Sequence, residues 1–327
     1  MSRAGRSGLA APALVAFAAN SLLCRAALGG HAIDPAIFAT LRVAAGAVTL
    51  VALVFLRPRR AAATASAPTP RLDTTAVPTP RVGGDWGLCD PLNPKNRRSR
   101  CSVLVAKTGP HGTTRVVIDT SPDMREQMLA ANAGDIDGVL YTHEHADHTH
   151  GIDELRAFFL MKRARVEVWA DEPTGQMLMS RFAYCFYTAP GSDYPPIVNL
   201  NRIVAGREVR IEGAGGALAA LPFRVHHGNI DALGFRVGAT AYSPDLNGIP
   251  DESLAALQGL DLWIVDALKR TPHPSHFCLT DTLEWIARIK PRRAIITNMH
   301  VDMDYDTLRR ELPENVEPAF DGMTLTI

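Results

Sequence analysis

The stretch Tyr141-Thr142-His143-Glu144-His145-Ala146-Asp147-His148-Thr149-His150-Gly151 decides how this chain is read. Its core is H-x-H-x-D-H, in which four side chains with metal-binding atoms fall within six residues, directly after the apolar run Val139-Leu140-Tyr141. A short apolar run that ends in such residues predicts a buried strand delivering a ligand loop to the edge of a sheet. Imidazole nitrogens together with a carboxylate suit zinc, manganese or iron; magnesium and calcium prefer oxygen throughout. The plainer alternative is a polar turn that happens to be rich in histidine, and partners elsewhere in the chain decide between the two.

Those partners stand at the ends of three predicted strands. Val225-His226-His227-Gly228 offers a third histidine, Ser243-Pro244-Asp245 an acid, and Asn298-Met299-His300 a last histidine. On this reading His143, His145 and His227 hold one ion, Asp147, His148 and His300 hold a second, and Asp245 bridges both. Ions bridged in this way lie about 3.5–4 Å apart and share a hydroxide aimed at phosphorus or a carbonyl carbon. Asp119, at another strand end, is placed either to orient a metal-binding histidine or to serve a turn or helix cap.

Periodicity extends the pattern in both directions. Strands are expected over 102–106 and 115–118, paired around Gly109-Pro110-His111-Gly112, with a helix from Met124. A helix over 152–162 precedes a strand over 166–170, and further strands fall near 221–225, 234–237, 239–243, 262–265 and 294–297. Helices are expected near 252–257 and 281–289. Such alternation predicts an α/β domain with mixed sheets.

At 327 residues the chain has room for one large domain or two ordinary ones. Lysine plus arginine equals aspartate plus glutamate, 34 each, so no overall field points to nucleic acid. Five cysteines, Cys24, Cys89, Cys101, Cys185 and Cys278, form no C-x-x-C pair and cannot all pair within the chain, which suits a reducing compartment.

The N-terminal part differs in kind. Residues 8–24 and 35–56 are apolar runs near the ~20 residues that cross a bilayer as a helix. Arg3 and Arg6 precede them and Arg57, Arg59 and Arg60 follow, while the connecting loop lacks lysine and arginine. A membrane hairpin over residues 1–60 is expected, with both ends and the rest of the chain on the cytoplasmic side. A cleaved signal fits poorly, since Cys24-Arg25 ends the first run without a small-residue cleavage site. A pair of buried soluble helices stays open, because Arg25 and Arg42 are costly in lipid. Residues 61–80, rich in alanine, threonine, serine and proline, read as a linker, and residues 81–327 as the catalytic domain. Its entry carries the basic loop Asn93-Pro94-Lys95-Asn96-Arg97-Arg98, suited to a phosphate or simply to solvent.

Two resemblances follow from these residues. Ala18-Ala19-Asn20-Ser21-Leu22-Leu23-Cys24-Arg25, Ile33-Asp34-Pro35 and Thr40-Leu41-Arg42 resemble the first two helices of an EamA-type drug/metabolite transporter. Residues 81–327 resemble the metallo-β-lactamase fold and, within it, the PhnP-like phosphoribosyl cyclic phosphodiesterases, through R-V-G-G-D-W-G-L-C-D-P, I-D-T-S-P-D, Y-T-H-E-H-A-D-H-T-H-G-I-D, Val265-Asp266-Ala267-Leu268 and Phe320-Asp321-Gly322-Met323. The resemblance implies an αββα sandwich and two divalent ions, zinc or manganese. The family's closing T-H-x-S-H motif stands here as Thr297-Asn298-Met299-His300-Val301, so Asn298 replaces one of its histidines. Residues two apart on a strand face one side, and His300 is therefore assigned as the last ligand. Of the cysteine cluster that holds a structural zinc in some relatives, Cys89 alone remains.

The expected function is hydrolysis of a small phosphodiester, cyclic or open, by a metal-bridging hydroxide held at Asp245. His276, in Pro274-Ser275-His276-Phe277, resembles the family's proton donor to the leaving oxygen, with His273 as the second choice. Imidazole suits general acid work at neutral pH. Rival readings keep the fold and change the substrate to a lactone, thioester or β-lactam, or make the chain an inactive membrane-tethered remnant.

Overall fold

The computed structural model describes residues 78–326. The membrane hairpin expected over residues 8–56, its likeness to a transporter, and all but the last residues of the expected linker lie outside the described residues. Among the described residues no helix is long and apolar enough to cross a membrane. Every element below belongs to the unit Asp73–Ile327.

The first hairpin is as local chemistry dictates. Strands β1 (Val103–Gly109) and β2 (Gly112–Ile118) run antiparallel with Gly109 opposite Gly112, leaving Pro110-His111 as the turn. Helix α1 (Met124–Ala130) leads to β3 (Gly138–Leu140), and the ligand loop opens into the short helix α2 (Ala146–Thr149). Next come α3 (Leu155–Lys162), β4 (Val166–Ala170), α4 (Glu172–Arg181), α5 (Ala183–Phe186) and β5 (Val198–Arg202). The second half contains β6 (Val209–Ile211), β7 (Leu218–His227), β8 (Ile230–Val237), β9 (Thr240–Ser243) and β10 (Leu262–Asp266). It closes with α6 (Leu279–Ile289), β11 (Arg293–Thr297), α7 (Tyr305–Glu311) and β12 (Val316–Pro318).

The strands form two sheets, in the order β1-β2-β3-β4-β5 and β12-β11-β10-β9-β8-β7-β6. Because side chains alternate across a strand, each central strand serves two layers. Val116, Ile118 and Leu140 of the first sheet meet Leu233, Phe235 and Tyr242 of the second in a core between the sheets. On the first sheet's other face Val117, Val139 and Val168 pack with Met124, Leu155, Phe158 and Leu178 of the helices. On the second sheet's outer face Val225, Trp263, Val265 and Ile296 pack with Ile286, Ile289 and Leu308. Four layers result, helix-sheet-sheet-helix, which is the αββα sandwich that the resemblance implied. Each large apolar side chain so buried contributes ~1.5–3 kcal/mol against the entropy of ordering the chain.

Several elements escaped the sequence. Helix α4 reads Glu172-Pro173-Thr174-Gly175, with two residues that normally punctuate helices. Yet proline is tolerated in a first turn, Asp171 caps that turn by accepting from Thr174 N at 3.0 Å, and Gly175 sits against Leu200. The helix expected near 252–257 is a 3-10 helix, Asp251–Leu257. The basic entry loop is anchored in part to the protein itself. Arg98 is buried and donates to Met303 O (2.6 Å), Asn96 Nδ2 donates to Asp304 (2.7 Å), and Lys95 lies over the Tyr305 and Phe320 rings. Its charges thus fasten the entry segment to the start of α7.

Candidate metal centre

Strands β2 and β3 run parallel, as do β9, β10 and β11, and β7 and β9 are both antiparallel to β8. The C-terminal ends of these strands therefore lie along one edge of each sheet. From them project Asp119 after β2, His143 to His148 after β3, His227 at the end of β7, Asp245 after β9, Asp266 at the end of β10 and Asn298 after β11. A backbone bond from Leu233 N to Thr142 O (2.9 Å) ties the two edges together at the ligand loop.

Six of the seven expected ligands are brought together. His143, His145, His227 and Asp245 offer donor atoms that all lie within 4.8 Å of one another, and Asp147, His148 and Asp245 form a second such group. In the first, His145 Nδ1 is 3.1 Å from both His143 Nε2 and His227 Nε2, and each of those nitrogens is 3.7 Å from Asp245 Oδ2. In the second, His148 Nε2 is 3.3 Å from Asp245 Oδ1 and 3.7 Å from Asp147 Oδ2. Asp245 presents Oδ2 to the first group and Oδ1 to the second.

The far sides of the His227 and His148 rings are held. His227 Nδ1 donates to Ser275 O at 2.6 Å, which fixes the tautomer that frees Nε2. His148 Nδ1 donates to Asp119 Oδ2 at 2.7 Å, and the same carboxylate accepts from Thr142 N and Thr142 Oγ1, both at 2.8 Å. Asp119 adopts a left-handed backbone, φ 66°, unusual for a residue with a side chain. Its alternatives are decided in favour of orienting the histidine. Gly151 closes the loop against residues 120–121: a Cβ there would lie 2.0 Å from Ser121 O.

His300 is the exception, and the assignment of the last ligand is corrected. Its Nδ1 faces Asp302 Oδ1 at 3.4 Å, and it belongs to neither group. Alternation holds only while a strand continues. The pairing of β11 with β10 ends at Thr297 opposite Asp266, and Asn298 turns into the left-handed region at φ 62°. Asn298 itself, 7% exposed, faces the second group: its Nδ2 donates to Asp245 Oδ1 at 2.8 Å, and its Oδ1 accepts from Cys101 Sγ at 3.3 Å. Burial pushes the Cys101 thiol well up, so it keeps the proton it donates.

His276 is buried beside this edge. Its Nδ1 is bonded to Asp266 Oδ2 at 2.8 Å, and its Nε2 lies 3.7 Å from Asp245 Oδ2. Asp266 also accepts from Leu246 N at 3.2 Å, which joins the β10 end to the loop carrying Asp245. Burial works against charge on His276, but Asp266 and then Asp245 outweigh it and raise the imidazole to about 9. His273 lies a ring farther out, 5.1 Å from His276 between centroids, with Ser275 bonded to it.

The residues fit divalent cations. Asp147 Oδ2, His148 Nε2 and Asp245 Oδ2 are buried polar atoms without a hydrogen-bond partner, a costly arrangement that a cation relieves. Burial keeps the imidazole of His143 well below its ordinary value, lowers that of His145, and lowers that of His227 to about 4, so lone pairs are available. Burial raises the Asp147 carboxyl, whereas His148 and His276 overcome burial at Asp245 and hold it ionised. Beside the ligands opens a cavity of about 630 Å³ lined by His145, Asp147, His150, Arg181 and Phe182. Arg181 reaches it from the end of α4 and donates to Glu144 O. No sequence pattern marked Arg181; the helix that carries it went unrecognised.

Comparison with known proteins agrees with this geometry. The family model of the beta-lactamase superfamily domain matches residues 114–299. A crystallised diphosphatase from the PhnP family is 32% identical, over 77% of this chain and 94% of that one, with a TM-score of 0.69. Zinc-bound PqqB from Methylobacterium extorquens shares the fold at 18% identity over 75% of this chain and 91% of that one, with a TM-score of 0.57. An octanoyltransferase of Porphyromonas gingivalis is 28% identical over 258 residues, 77% of this chain. The chain spans 50% of the length of that curated relative. On these matches the chain belongs to the beta-lactamase superfamily and, within it, to the PhnP family.

Proposed function

We propose that this beta-lactamase superfamily chain, a metal-dependent hydrolase, cleaves a small phosphodiester or diphosphate, with Asp245 at the centre of the metal site and His276 as proton donor. The observation that carries the reading is the pairing of two unpartnered buried atoms, His276 Nε2 and Asp245 Oδ2, 3.7 Å apart beside the ligand groups. A general acid must stand next to the reacting centre without being one of its ligands, and His276 does. The 32% identity to a PhnP-family diphosphatase supports phosphorus over carbon as the point of attack.

On this reading His143, His145, His227 and Asp245 hold one divalent ion, and Asp147, His148 and Asp245 hold another. Bound divalent ions supply Lewis acidity toward phosphoryl oxygens and a water of depressed pKa. The chain's own groups do the rest. Asp119 fixes the ring of His148, and Ser275 O fixes that of His227. Asp266 holds His276 in its protonated form with Nε2 turned to the site, from where the proton passes to the leaving oxygen. Arg181 and His150, in the adjoining cavity, attract a further anionic group of the substrate.

The test is a substrate panel with the purified full chain and measured metal content. A phosphodiester such as bis(p-nitrophenyl) phosphate and a diphosphate should be hydrolysed, and a lactone, a thioester and a β-lactam should not. Preference for any of the carbonyl substrates would sink the assignment to phosphorus.

A further inference from the structure

We infer that the two ion positions are unequal: the position of His143, His145, His227 and Asp245 holds its ion firmly, and the position of Asp147, His148 and Asp245 binds weakly because Asn298 bonds to its Asp245 oxygen and adds no ligand. The inference rests on the reading of this cluster as a metal centre. The first group supplies four donors and the second three. The Asn298 carboxamide lies against Asp245 Oδ1, the oxygen that faces the second group, and its nitrogen, which also lies 3.5 Å from His276 Nδ1, has no lone pair to offer a cation. That nitrogen instead donates to Asp245 Oδ1 at 2.8 Å, and this is the oxygen that faces His148 Nε2 at 3.3 Å.

The orientation of the amide follows from its other partner. Amide oxygen and nitrogen are told apart by their hydrogen bonds. Cys101 Sγ–H is a donor 3.3 Å from Asn298 Oδ1, which leaves Nδ2 for the Asp245 carboxylate. An ion entering the second position must break the amide's bond to Asp245 and then find no imidazole in its place. His300, the nearest histidine in sequence, is turned to Asp302 and cannot substitute without rebuilding the chain after β11. Disturbing a partner outside the ligand shell costs about 10–100-fold in metal affinity, so absence of a ligand separates the two positions by at least about 100-fold.

The experiment strips the full chain with chelator and titrates it with zinc alone and with manganese alone, reading bound ion per chain by elemental analysis and affinity by calorimetry. Two steps are expected, one tight ion and a second at least about 100-fold weaker. Asn298→His should tighten the second step and leave the first in place. Asn298→Asp, nearly the same size, should tighten it as well, so the test does not depend on one variant folding. Two ions of equal affinity in the unaltered chain would overturn the inequality while leaving the metal centre intact. Failure of both substitutions to move the second step would overturn Asn298 as its cause. A folded chain that binds no ion would refute the metal centre itself, and the inference with it.

Discussion

Asp266→Asn removes a charge from beneath His276 while changing almost no volume, and its effect should depend on the leaving group. With the carboxylate 2.8 Å from Nδ1, the His276 imidazole is raised to about 9. At pH 7 a value two units above the medium leaves about 100 protonated rings for each neutral one. Without the carboxylate, burial is opposed by Asp245 alone, the ring falls from that value, and a smaller share of it is protonated at pH 7. Bound cations would lower both values, but the difference between the two proteins remains. Orientation is lost as well, since a neutral carboxamide holds an imidazolium poorly. General acid catalysis contributes ~10²–10⁴-fold in all, so with protonation and orientation both impaired a diester with a sugar-alkoxide leaving group should be cleaved more slowly by about 10-fold or more, within that ceiling. A p-nitrophenolate leaves without help from a proton, and its ester should be cleaved at close to the original rate. The assay is steady-state hydrolysis of both substrates, with metal content and circular dichroism checking that the site and fold persist. Equal losses on both substrates, or none on either, would refute the role given to the Asp266–His276 pair.

Further outcomes follow from the same geometry. His145→Ala should abolish metal-dependent hydrolysis and lower bound metal, because His145 Nδ1 lies 3.1 Å from the donor nitrogens of both His143 and His227; unchanged turnover with metal retained would remove His145 from the site. Arg181→Gln should raise KM for substrates that carry a second anionic group, leave that for bis(p-nitrophenyl) phosphate nearly unchanged and keep the metal, as steady-state kinetics would show. Asp304→Ala removes the α7 cap and the partner of Asn96, and should cost about 1–2 kcal/mol in urea unfolding at pH 7. That difference has a pH signature. Burial pushes the Asp304 carboxyl upward, but bonds from Thr307, Asn96 and Asp90 outweigh it and hold the carboxyl at about 2, below 3.8. Its stabilisation is therefore full above about pH 4 and fades as pH falls through about 2, so the two proteins should converge in acid.

Local chemistry made most of the metal centre legible. H-x-H-x-D-H places its ligands on one loop, and that proximity survives whatever the rest of the chain does. His227 and Asp245 were readable because each closes an apolar run, the mark of a strand end. The β1–β2 hairpin and α1 were readable for similar reasons, through turn residues and period. Helix α4 was hidden because Pro173 and Gly175 are breakers in isolation, and only packing against Leu200 and the cap from Asp171 make them acceptable.

The sequence by itself determined the mixed α/β class and the ligand loop, because these depend on residue chemistry and short-range period, while the αββα layering and the part given to His276 came from the family resemblance. The tertiary structure alone decided which residue faces the second position after β11. Asn298 and His300 are equivalent by alternation, but the strand ends opposite Asp266, the backbone turns left-handed at φ 62°, and Asn298 rather than His300 is delivered to Asp245. Partners distant in sequence were likewise decided by the fold: Asp119 under His148, Asp266 under His276, and Cys101 against Asn298. No local pattern encodes such pairs, since they exist only once two sheets bring their C-terminal edges together.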